Sequence, residues 1–240
     1  MSERVKAVPK RERAWLARYR PEDFPRPAVA VDVAVLTVVD AELRALLVLR
    51  DEPPFKGRWA LPGGFLRVGE GGDRSLDDAA ARELEEETGL SRADVAFEQL
   101  EAFGDVGRDP RMRVVSVAYV ALVRPDLVPL VRGGGDAARA EWFAVSGLPR
   151  LAFDHDRILE RARARVATEL DDPAIARGLV PATFTIPELR AVWEVVTGAP
   201  VDAGNFRRRF LRMVEDGVVE SAPGKRVTAS KPAQVWRFRA

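Results

Sequence analysis

Runs and alternations of apolar residues divide the chain into two parts with different periodicity. In the first part the apolar positions occur in valine-rich runs and short alternations that are typical of strands. Strands are predicted at 29–38, 45–49, 59–61, 97–103, 114–123 and 140–145. Helical spacing near residues 75–88 predicts the chief helix of this part. The first part is therefore predicted to be a mixed α/β domain.

The predicted helix near residues 75–88 carries its own start and stop signals. Ser75 is a preferred N-cap residue, and Gly89 suits the left-handed conformation that ends many helices. Leu76, Ala80 and Leu84 recur every four residues, which places them on one face. We expect that face to pack against the sheet.

A second helix is predicted at 155–170, and the pattern changes directly after it. The segment 171–185 contains two prolines and a glycine, which disfavour a continuing helix. We therefore predict a first domain at 1–170, which includes a charged arm at 1–27, and a second domain at 171–240.

The second predicted domain has the order helix, turn, helix, hairpin. Thr185 and Asp202 are placed to cap its two helices, and Phe206 and Phe210 supply the inward face of the second helix. The polar positions on that helix and near the hairpin tip are Asn205, Arg207, Arg208, Arg209, Arg212, Lys225, Arg226 and Lys231. This order and these residue types indicate a winged helix-turn-helix that binds DNA. The alternative is a small helical substrate-binding or dimerisation domain with a solvated arginine face.

Composition and charge narrow the class of protein. The 240 residues are 47% hydrophobic and 31% charged, which suits two folded, soluble domains. The chain has no cysteine, so disulfides and thiolate metal sites are excluded. No apolar run reaches the roughly 20 residues of a membrane helix, and the charged start lacks a signal peptide's apolar core, so we expect a cytoplasmic protein without a membrane partner. Residues 181–240 carry a net charge of +4 against −3 for the rest, which points to nucleic acid at that end.

Three glutamates on the chief helix are the strongest candidates for chemistry. Glu83, Glu86 and Glu87 fall within one arc of the helix, where the like-charge pair Glu83 and Glu87 costs about 0.2–0.5 kcal/mol unless something neutralises it. Mg²⁺ or Mn²⁺ would neutralise it, because these cations take carboxylate and phosphate oxygens. Gly63 and Gly64 permit a close backbone approach beside the helix. The alternative is an exposed acidic helix face.

Two further groups are weaker candidates. Arg108 and Arg111, in the loop GRDPRMR, suit contacts with phosphate, although a solvated hairpin turn explains them equally well. His155 is the one histidine of the chain and is interpreted as a capping or packing residue.

Together these residues resemble the Nudix box, in which a glycine, a glutamate, an Arg-Glu pair, a Glu-Glu pair and a final glycine stand at set spacings. The matching positions are Gly64, Glu70, Arg82, Glu83, Leu84, Glu86, Glu87, Gly89 and Leu90. The resemblance implies that Glu83, Glu86 and Glu87 hold the metal. It also implies that they act in catalysis if the site hydrolyses its ligand. It also implies that Arg82 and the earlier glutamate brace the loop against the helix.

One departure from the box concerns the loop before the helix. Eleven residues separate Glu70 from Arg82, where the pattern has seven. This extra length puts the pairing of Glu70 with Arg82 in doubt. Asp78, one turn before Arg82 on the predicted helix, is predicted as the alternative partner.

The whole chain resembles the Nudix-related transcriptional regulators of NAD metabolism. The resemblance rests on FPRPAVAVD, WALPGGFLR, the box, DPRMRVVSVAY, FTIPEL, NFRRRF and the terminal VWRF. It implies an α/β (α+β) Nudix-like mixed-sheet sandwich followed by a winged helix-turn-helix domain. It also implies a homodimeric repressor of NAD biosynthesis or salvage genes that binds operator DNA and senses ADP-ribose or a related metabolite. The expected effector contacts are Gly63, Gly64, Arg82, Arg108 and Arg111.

The sequence leaves two alternatives open. The first is an active Nudix hydrolase of the ADP-ribose pyrophosphatase type whose C-terminal domain is accessory. The second is a regulator that also hydrolyses its own effector. The glutamates favour turnover and the lengthened loop disfavours it, so the sequence predicts metal-assisted binding without showing hydrolysis.

Overall fold

The computed structural model describes residues 8–130, 137–227 and 232–239, which form two regions of regular structure. Its helices are α1 Lys10–Leu16, α2 Leu76–Thr88, α3 His155–Thr168, α4 Pro173–Gly178, α5 Ile186–Thr197 and α6 Ala203–Glu215. Its strands are β1 Ala28–Val39, β2 Glu42–Arg50, β3 Trp59–Ala60, β4 Gly63–Phe65, β5 Val95–Phe103, β6 Val114–Val123, β7 Ala137–Ala144, β8 Val219–Arg226 and β9 Ala233–Phe238. No helix in these ranges is long and apolar enough to cross a membrane.

The first region is built on a seven-stranded mixed sheet. Its main path runs β3-β2-β1-β6-β5, while β4 pairs with β1 and β7 pairs with β2. Strands β1 and β6 are parallel, and the other pairs are antiparallel. The mixed-sheet fold class predicted from the sequence is confirmed.

Strand β1 shows why the sheet is covered on both faces. Its alternate side chains belong to two different cores, with Val33 and Val35 on the side of α2 and Leu36 and Val38 on the side of α3. A strand buried on both faces reads as a nearly continuous apolar run, which explains its valine-rich sequence. The sheet is therefore the middle layer of a sandwich between α2 and α3.

Helix α2 forms as its sequence signals predict. The Ser75 hydroxyl accepts a hydrogen bond from the backbone N–H of Asp78, and Gly89 ends the helix with φ of 74°. Ala80 and Leu84 are fully buried against the sheet. This packing turns the neighbouring glutamates toward the loop that contains β4.

The second region is a winged helix. Thr185 and Glu188 form a complete capping box at the start of α5, and Asp202 caps α6. Phe206 and Phe210 of α6 are buried, and β8 and β9 form the wing hairpin. The predicted order of helix, turn, helix and hairpin is confirmed.

One hydrophobic cluster joins the two regions. It contains Ile158 and Val166 of α3, Leu189 and Val192 of α5, and Phe210 of α6. Helix α4 and strand β4 take part in this architecture although the sequence pattern did not predict them. Both are short, so neither shows a full period of apolar positions.

Candidate functional site

A cleft of about 620 Å³ opens beside α2 and brings most of the predicted site residues together. Its lining includes Gly63, Gly64, Glu83, Glu86, Glu87, Arg108 and Arg111. Arg82 lies behind this lining, where it contacts the glutamates. Residues more than forty positions apart therefore meet in one cavity large enough for a nucleotide-sized ligand.

Gly63 and Gly64 allow the loop to approach the helix closely. A Cβ atom on Gly64 would lie 2.4 Å from Glu83 Oε1, and one on Gly63 would lie 2.3 Å from the carbonyl oxygen of Val31. Neither distance is tolerated by a real side chain. The close backbone approach expected from the sequence is present, and it presses the loop against Glu83.

Glu83 is a buried carboxylate that pairs with Arg82, whereas Glu87 is half-buried and has no ion-pair partner within the described residues. Burial raises the pKa of Glu83, and burial raises the pKa of Glu87 to about 8. Glu87 Oε2 accepts a 2.9 Å hydrogen bond from the Gly63 N–H, and Glu83 Oε1 accepts a 2.6 Å bond from Arg82. A cation would stabilise both carboxylates, so their oxygen donors fit Mg²⁺ or Mn²⁺.

Glu86 differs from the other two glutamates because two guanidinium groups already bind it. Arg67 donates from Nη1 to Oε1 at 3.0 Å and from Nη2 to Oε2 at 2.8 Å, and Arg82 Nη1 lies 3.2 Å from Oε2. Within the described residues, no group of three or more acidic or histidine side chains is arranged to hold a metal ion. The three glutamates line one cleft, but they do not converge on one point.

Arg82 braces the loop, and its acidic partner is Asp73. Arg82 donates from Nε and Nη2 to the two Asp73 oxygens at 2.8 and 2.9 Å, and these bonds raise the Arg82 pKa. The predicted alternative partner, Asp78, was wrong because its carboxylate pairs with Arg74 on the outer side of α2. Glu70 is exposed, and its carboxylate has no hydrogen bond or ion pair within the described residues. The extra residues of the loop therefore displace Glu70 and deliver Asp73 instead.

Arg108 is a buried structural cation. Its guanidinium donates to Asp154 Oδ1 at 2.6 Å and to Asp32 Oδ2 at 3.3 Å, and its side chain is only 5% exposed. Asp32 also accepts a bond from the Ser116 hydroxyl. Two carboxylates therefore already neutralise Arg108 at the floor of the cleft, and its predicted contact with an effector phosphate stays a prediction.

His155 is a buried packing residue, in agreement with its interpretation from the sequence. Its Nδ1 accepts a 2.9 Å hydrogen bond from the Leu61 N–H, so the proton of the neutral ring lies on Nε2, which faces Asp32 Oδ1 at 3.3 Å. Burial lowers the His155 pKa. The histidine fixes the first turn of α3 to the loop that leads into the cleft.

Arg111 and Arg50 carry the cationic side of the cleft. Arg111 pairs with Asp109 and lies over the Phe65 ring, 5.0 Å from its centroid. Arg50 lies over the ring of Phe153 at 4.9 Å, and burial together with Arg111 lowers its pKa. Guanidinium groups on aromatic rings suit both phosphate binding and base stacking.

Three exposed arginines of the winged helix lie on α6. Arg207, Arg208 and Arg212 are exposed, as is Asn205, whose side-chain oxygen accepts a hydrogen bond from Arg208. Lys225 is exposed at the wing. These residues keep the accessibility that contact with DNA requires.

Two further residues predicted for DNA contact also make contacts within the fold, and their contact with DNA stays a prediction. Arg209 is half-buried, pairs with Asp171 and lies 4.9 Å over the Trp193 ring. Arg226 donates two 2.7 Å bonds to Glu188, which ties the wing to α5. Their guanidinium groups are engaged within the domain. Lys231 lies outside the described residues.

Sequence reasoning missed several residues of the cleft, namely Asp32, Arg50, Arg67, Asp73, Phe65, Phe153 and Asp154. Asp32 had a usable signal, since it is the one charged residue in an otherwise apolar strand, and buried charges are rarely incidental. The loop residues had no such signal in the sequence, because their pairing depends on the path of the backbone.

Comparison with known proteins agrees with the fold. A family model of the NUDIX domain matches residues 28–162, and a model of the NrtR DNA-binding winged helix domain matches residues 176–238. The chain is 35% identical over 229 residues to the ADPR responsive transcriptional repressor NtrR of Acinetobacter baylyi, covering 95% of this chain and 88% of that protein.

Of two other relatives, one matches most of the chain and the other about two thirds of it. The crystal structure of Shewanella oneidensis NrtR complexed with a 27mer DNA has 31% identity and a TM-score of 0.73, covering 88% of this chain and 93% of that one. An ADP-ribose pyrophosphatase of Methanocaldococcus jannaschii is 37% identical over 155 residues, which cover 65% of this chain and 81% of that protein.

The fold and the cleft thus define a Nudix domain joined to a DNA-binding winged helix. The chain belongs to the NrtR family of Nudix-related transcriptional regulators.

Proposed function

We propose that this protein is a transcriptional repressor whose Nudix domain senses ADP-ribose or a closely related NAD metabolite. One observation carries the proposal. A single chain joins a cleft of carboxylates, arginines and aromatic rings to a winged helix that exposes Arg207, Arg208 and Arg212. Relatives over nearly the whole length include an ADPR responsive repressor and an NrtR crystallised with DNA.

The chemistry of the cleft supports a nucleotide with a diphosphate as the effector. Arg50 and Arg111 supply positive charge, and Phe65 and Phe153 supply rings for stacking. The carboxylates of Glu83 and Glu87 would hold a Mg²⁺ or Mn²⁺ ion, which would supply positive charge for an anionic effector. Gly63 and Gly64 belong to the effector-binding surface, where Arg82 acts as the brace of the loop.

The winged helix is proposed to read a palindromic operator as part of a homodimer. A two-fold axis in the protein matches two half-sites about one helical turn apart. Asn205, Arg207, Arg208 and Arg212 are the proposed contacts on α6, and Lys225 the contact on the wing. The regulated genes are proposed to be those of NAD biosynthesis or salvage. The boundary between the two domains is proposed to lie at residue 171. The protein is proposed to act in the cytoplasm.

Helix α3 supports a route by which the effector acts on DNA binding. Its first residue, His155, lines the cleft, and Ile158 and Val166 share one hydrophobic cluster with α5. A small shift of α3 would move α5 and change the spacing of the two winged helices in the dimer. A coupling of about 1–3 kcal/mol changes DNA affinity by about 5- to 150-fold.

A gel-shift titration tests the proposal. Fragments of the source genome that the protein selects are titrated with ADP-ribose and Mg²⁺, and the fraction of bound DNA is measured. We expect ADP-ribose to release the DNA. Binding to random duplex without a preferred site, or a bound fraction that no NAD-pathway metabolite changes, would contradict the proposal.

A second function, hydrolysis, is favoured by one observation. Glu83, Glu86 and Glu87 all line the cleft, as a Nudix hydrolase requires. In that reaction water adds to one phosphorus of ADP-ribose and the bridging P–O bond breaks, which gives AMP and ribose phosphate. Incubation with ADP-ribose and Mg²⁺, followed by chromatography for AMP, separates turnover from binding.

A further inference from the structure

Phe153, at the edge of the cleft, has a backbone conformation that a phenylalanine rarely adopts. Its φ of 52° lies in the left-handed region, which glycine accepts freely and a bulky side chain does not. The preceding residue, Ala152, is fixed to the sheet, because its N–H donates to the carbonyl oxygen of Trp59 at 2.8 Å. The following residue, Asp154, is the N-cap of α3. The backbone of Phe153 therefore sets the direction in which α3 leaves the sheet, and its strain must be maintained by surrounding contacts.

Two cations and one ring of the cleft hold the Phe153 side chain. The guanidinium carbon of Arg50 lies 4.9 Å from the centroid of its ring, and that of Arg111 lies 5.9 Å from it. Phe55 packs against the same ring with a centroid distance of 4.9 Å. Each cation is attracted to the ring, but the two cations repel each other. Burial and the charge of Arg111 accordingly lower the pKa of Arg50.

The next two residues of this turn are attached to the cleft by contacts that an anionic ligand would change less. Asp154 accepts hydrogen bonds from Arg108, which is 5% exposed and also contacts Asp32. His155 accepts a hydrogen bond from the backbone N–H of Leu61. The first contact is a buried pair that is already neutral, and the second involves no cation. The ring of Phe153 is therefore the part of the turn that responds most directly to charge in the cleft.

Arg50 and Arg111 are free to exchange their contact with the ring for a ligand. Within the part of the chain that the structure describes, Arg50 makes no ion pair and donates only to the carbonyl oxygens of Pro54 and Glu52. Arg111 pairs with Asp109 and is 42% exposed. Charge-assisted hydrogen bonds from guanidinium to phosphate oxygens are stronger than a contact with an aromatic face. A diphosphate bound to the two arginines would therefore draw them away from the ring.

We propose that Phe153 is the positioning residue that converts the binding of a diphosphate in the cleft into a movement of α3. Arg50 and Arg111 hold its ring, and a ligand that binds both guanidinium groups frees it, so that the strained turn relaxes and α3 shifts. Ile158 of α3 transmits this shift, because it shares a buried cluster with Leu189 of α5. The inference rests on the proposed function and adds the residue through which the effector acts.

The coupling factor tests this role. It is the ratio of the dissociation constants for DNA with and without saturating ADP-ribose and Mg²⁺, measured by fluorescence anisotropy on a fragment that the full chain selects from its source genome. Phe153→Leu keeps the apolar bulk and removes the aromatic face, so the coupling factor should fall from at least about fivefold to less than about twofold. Phe153→Tyr keeps that face and should keep the coupling.

Phe65→Leu is the matched control. It removes the other ring on which Arg111 lies, at 5.0 Å, but from β4 and not from the turn before α3. Loss of a ring surface is expected to weaken the binding of ADP-ribose in both leucine variants, which isothermal titration calorimetry measures. The coupling factor at saturation separates them, because Phe65→Leu should retain it. Equal loss of coupling in both leucine variants, or loss of coupling in Phe153→Tyr, overturns the inference.

Circular dichroism and the melting temperature identify variants that have not folded. A Phe153→Leu chain that does not fold is replaced by Phe153→Gly, which accepts a φ of 52° without strain and should lose the coupling in the same way. A folded variant that ADP-ribose cannot saturate overturns the inference, because the ring then serves binding alone.

Failure of this inference differs from failure of the proposed function. If ADP-ribose releases DNA from the unmodified chain and equally from Phe153→Leu or Phe153→Gly, Phe153 has no role in coupling and the proposed function stands. If ADP-ribose leaves the DNA complex of the unmodified chain unchanged, the proposed function itself is contradicted.

Discussion

Asp73 joins the cleft loop to α2 through a single carboxylate. It accepts two hydrogen bonds from Arg82 and one from the Arg67 N–H, while its side chain is 6% exposed. The hydrogen bonds from Arg82 lower the Asp73 pKa from 3.8 to about 2. The charged form of this carboxylate therefore stabilises the folded loop.

Replacing Asp73 by Asn is expected to lower the free energy of unfolding by about 2 kcal/mol at neutral pH, because charged hydrogen bonds are lost. The matched control is Glu70→Gln in the same loop, where no such loss is expected. Urea denaturation measures the free energy of unfolding of both variants. Equal stabilities for the two variants would contradict the role of Asp73.

The same carboxylate predicts a pH dependence. Since folding lowers the Asp73 pKa, its stabilisation is complete above the unfolded value of 3.8 and is lost as pH falls through the folded value of about 2. The difference in unfolding free energy between the unmodified chain and Asp73→Asn should shrink over this interval. A difference that stays constant down to pH 2 would contradict the assignment.

Gly64→Ala tests the close approach of the loop to α2. The new Cβ would lie 2.4 Å from Glu83 Oε1, so the carboxylate must move and the cleft should lose affinity for ADP-ribose. Gly147→Ala is the control, because a Cβ there meets nothing within 4 Å. Isothermal titration calorimetry measures both, and a Gly64→Ala chain with unchanged affinity would show that Glu83 tolerates displacement.

At the scale of elements, α6 divides its arginines between two tasks. Arg207 is exposed, whereas Arg209 pairs with Asp171 and lies over Trp193. Arg207→Gln should weaken DNA binding and reduce the slope of log affinity against log salt by about 0.9, the value for one lost phosphate contact. The control Arg165→Gln changes an exposed arginine on α3, and it should leave the slope unchanged. Fluorescence anisotropy across a salt series measures both slopes.

Long helices and strands could be predicted from the sequence, whereas short ones could not. Strong periodicity predicted β1, β6, α2 and α5 because each buries a whole face. Helix α4 and strand β4 are short, so their formation depends on tertiary packing that no local pattern records. In α4, for example, a Cβ on Gly178 would lie 2.6 Å from the Cβ of Leu122 in the sheet.

Side-chain positions on a regular helix could likewise be predicted from the sequence, whereas side-chain pairs in an irregular loop could not. The glutamates of α2 were predicted because helical spacing determines their arc, and the structure brings them to one cleft. The partner of Arg82 was predicted wrongly, since a loop with several glycines has no repeat from which its path follows.

At the scale of the whole molecule, the two regions share one hydrophobic cluster that runs from the sheet through α3 to α5 and α6. We therefore predict that they unfold together. Fluorescence from the five tryptophans, which include Trp59 in the first region and Trp193 in the second, should give the same urea midpoint as circular dichroism. Two separate transitions would show that the cluster does not couple the regions.

Regulation by this molecule requires that effector binding in the cleft changes DNA binding by the winged helix, and the shared cluster supplies the contact between the two regions. Anisotropy of a labelled operator measures it most directly, with ADP-ribose and Mg²⁺ titrated into the complex of the unmodified chain and of Glu87→Gln. We expect ADP-ribose to lower the DNA affinity of the unmodified chain at least about fivefold, whereas Glu87→Gln binds the same DNA and does not respond. If ADP-ribose leaves the operator complex unchanged in both proteins, the cleft does not control DNA binding.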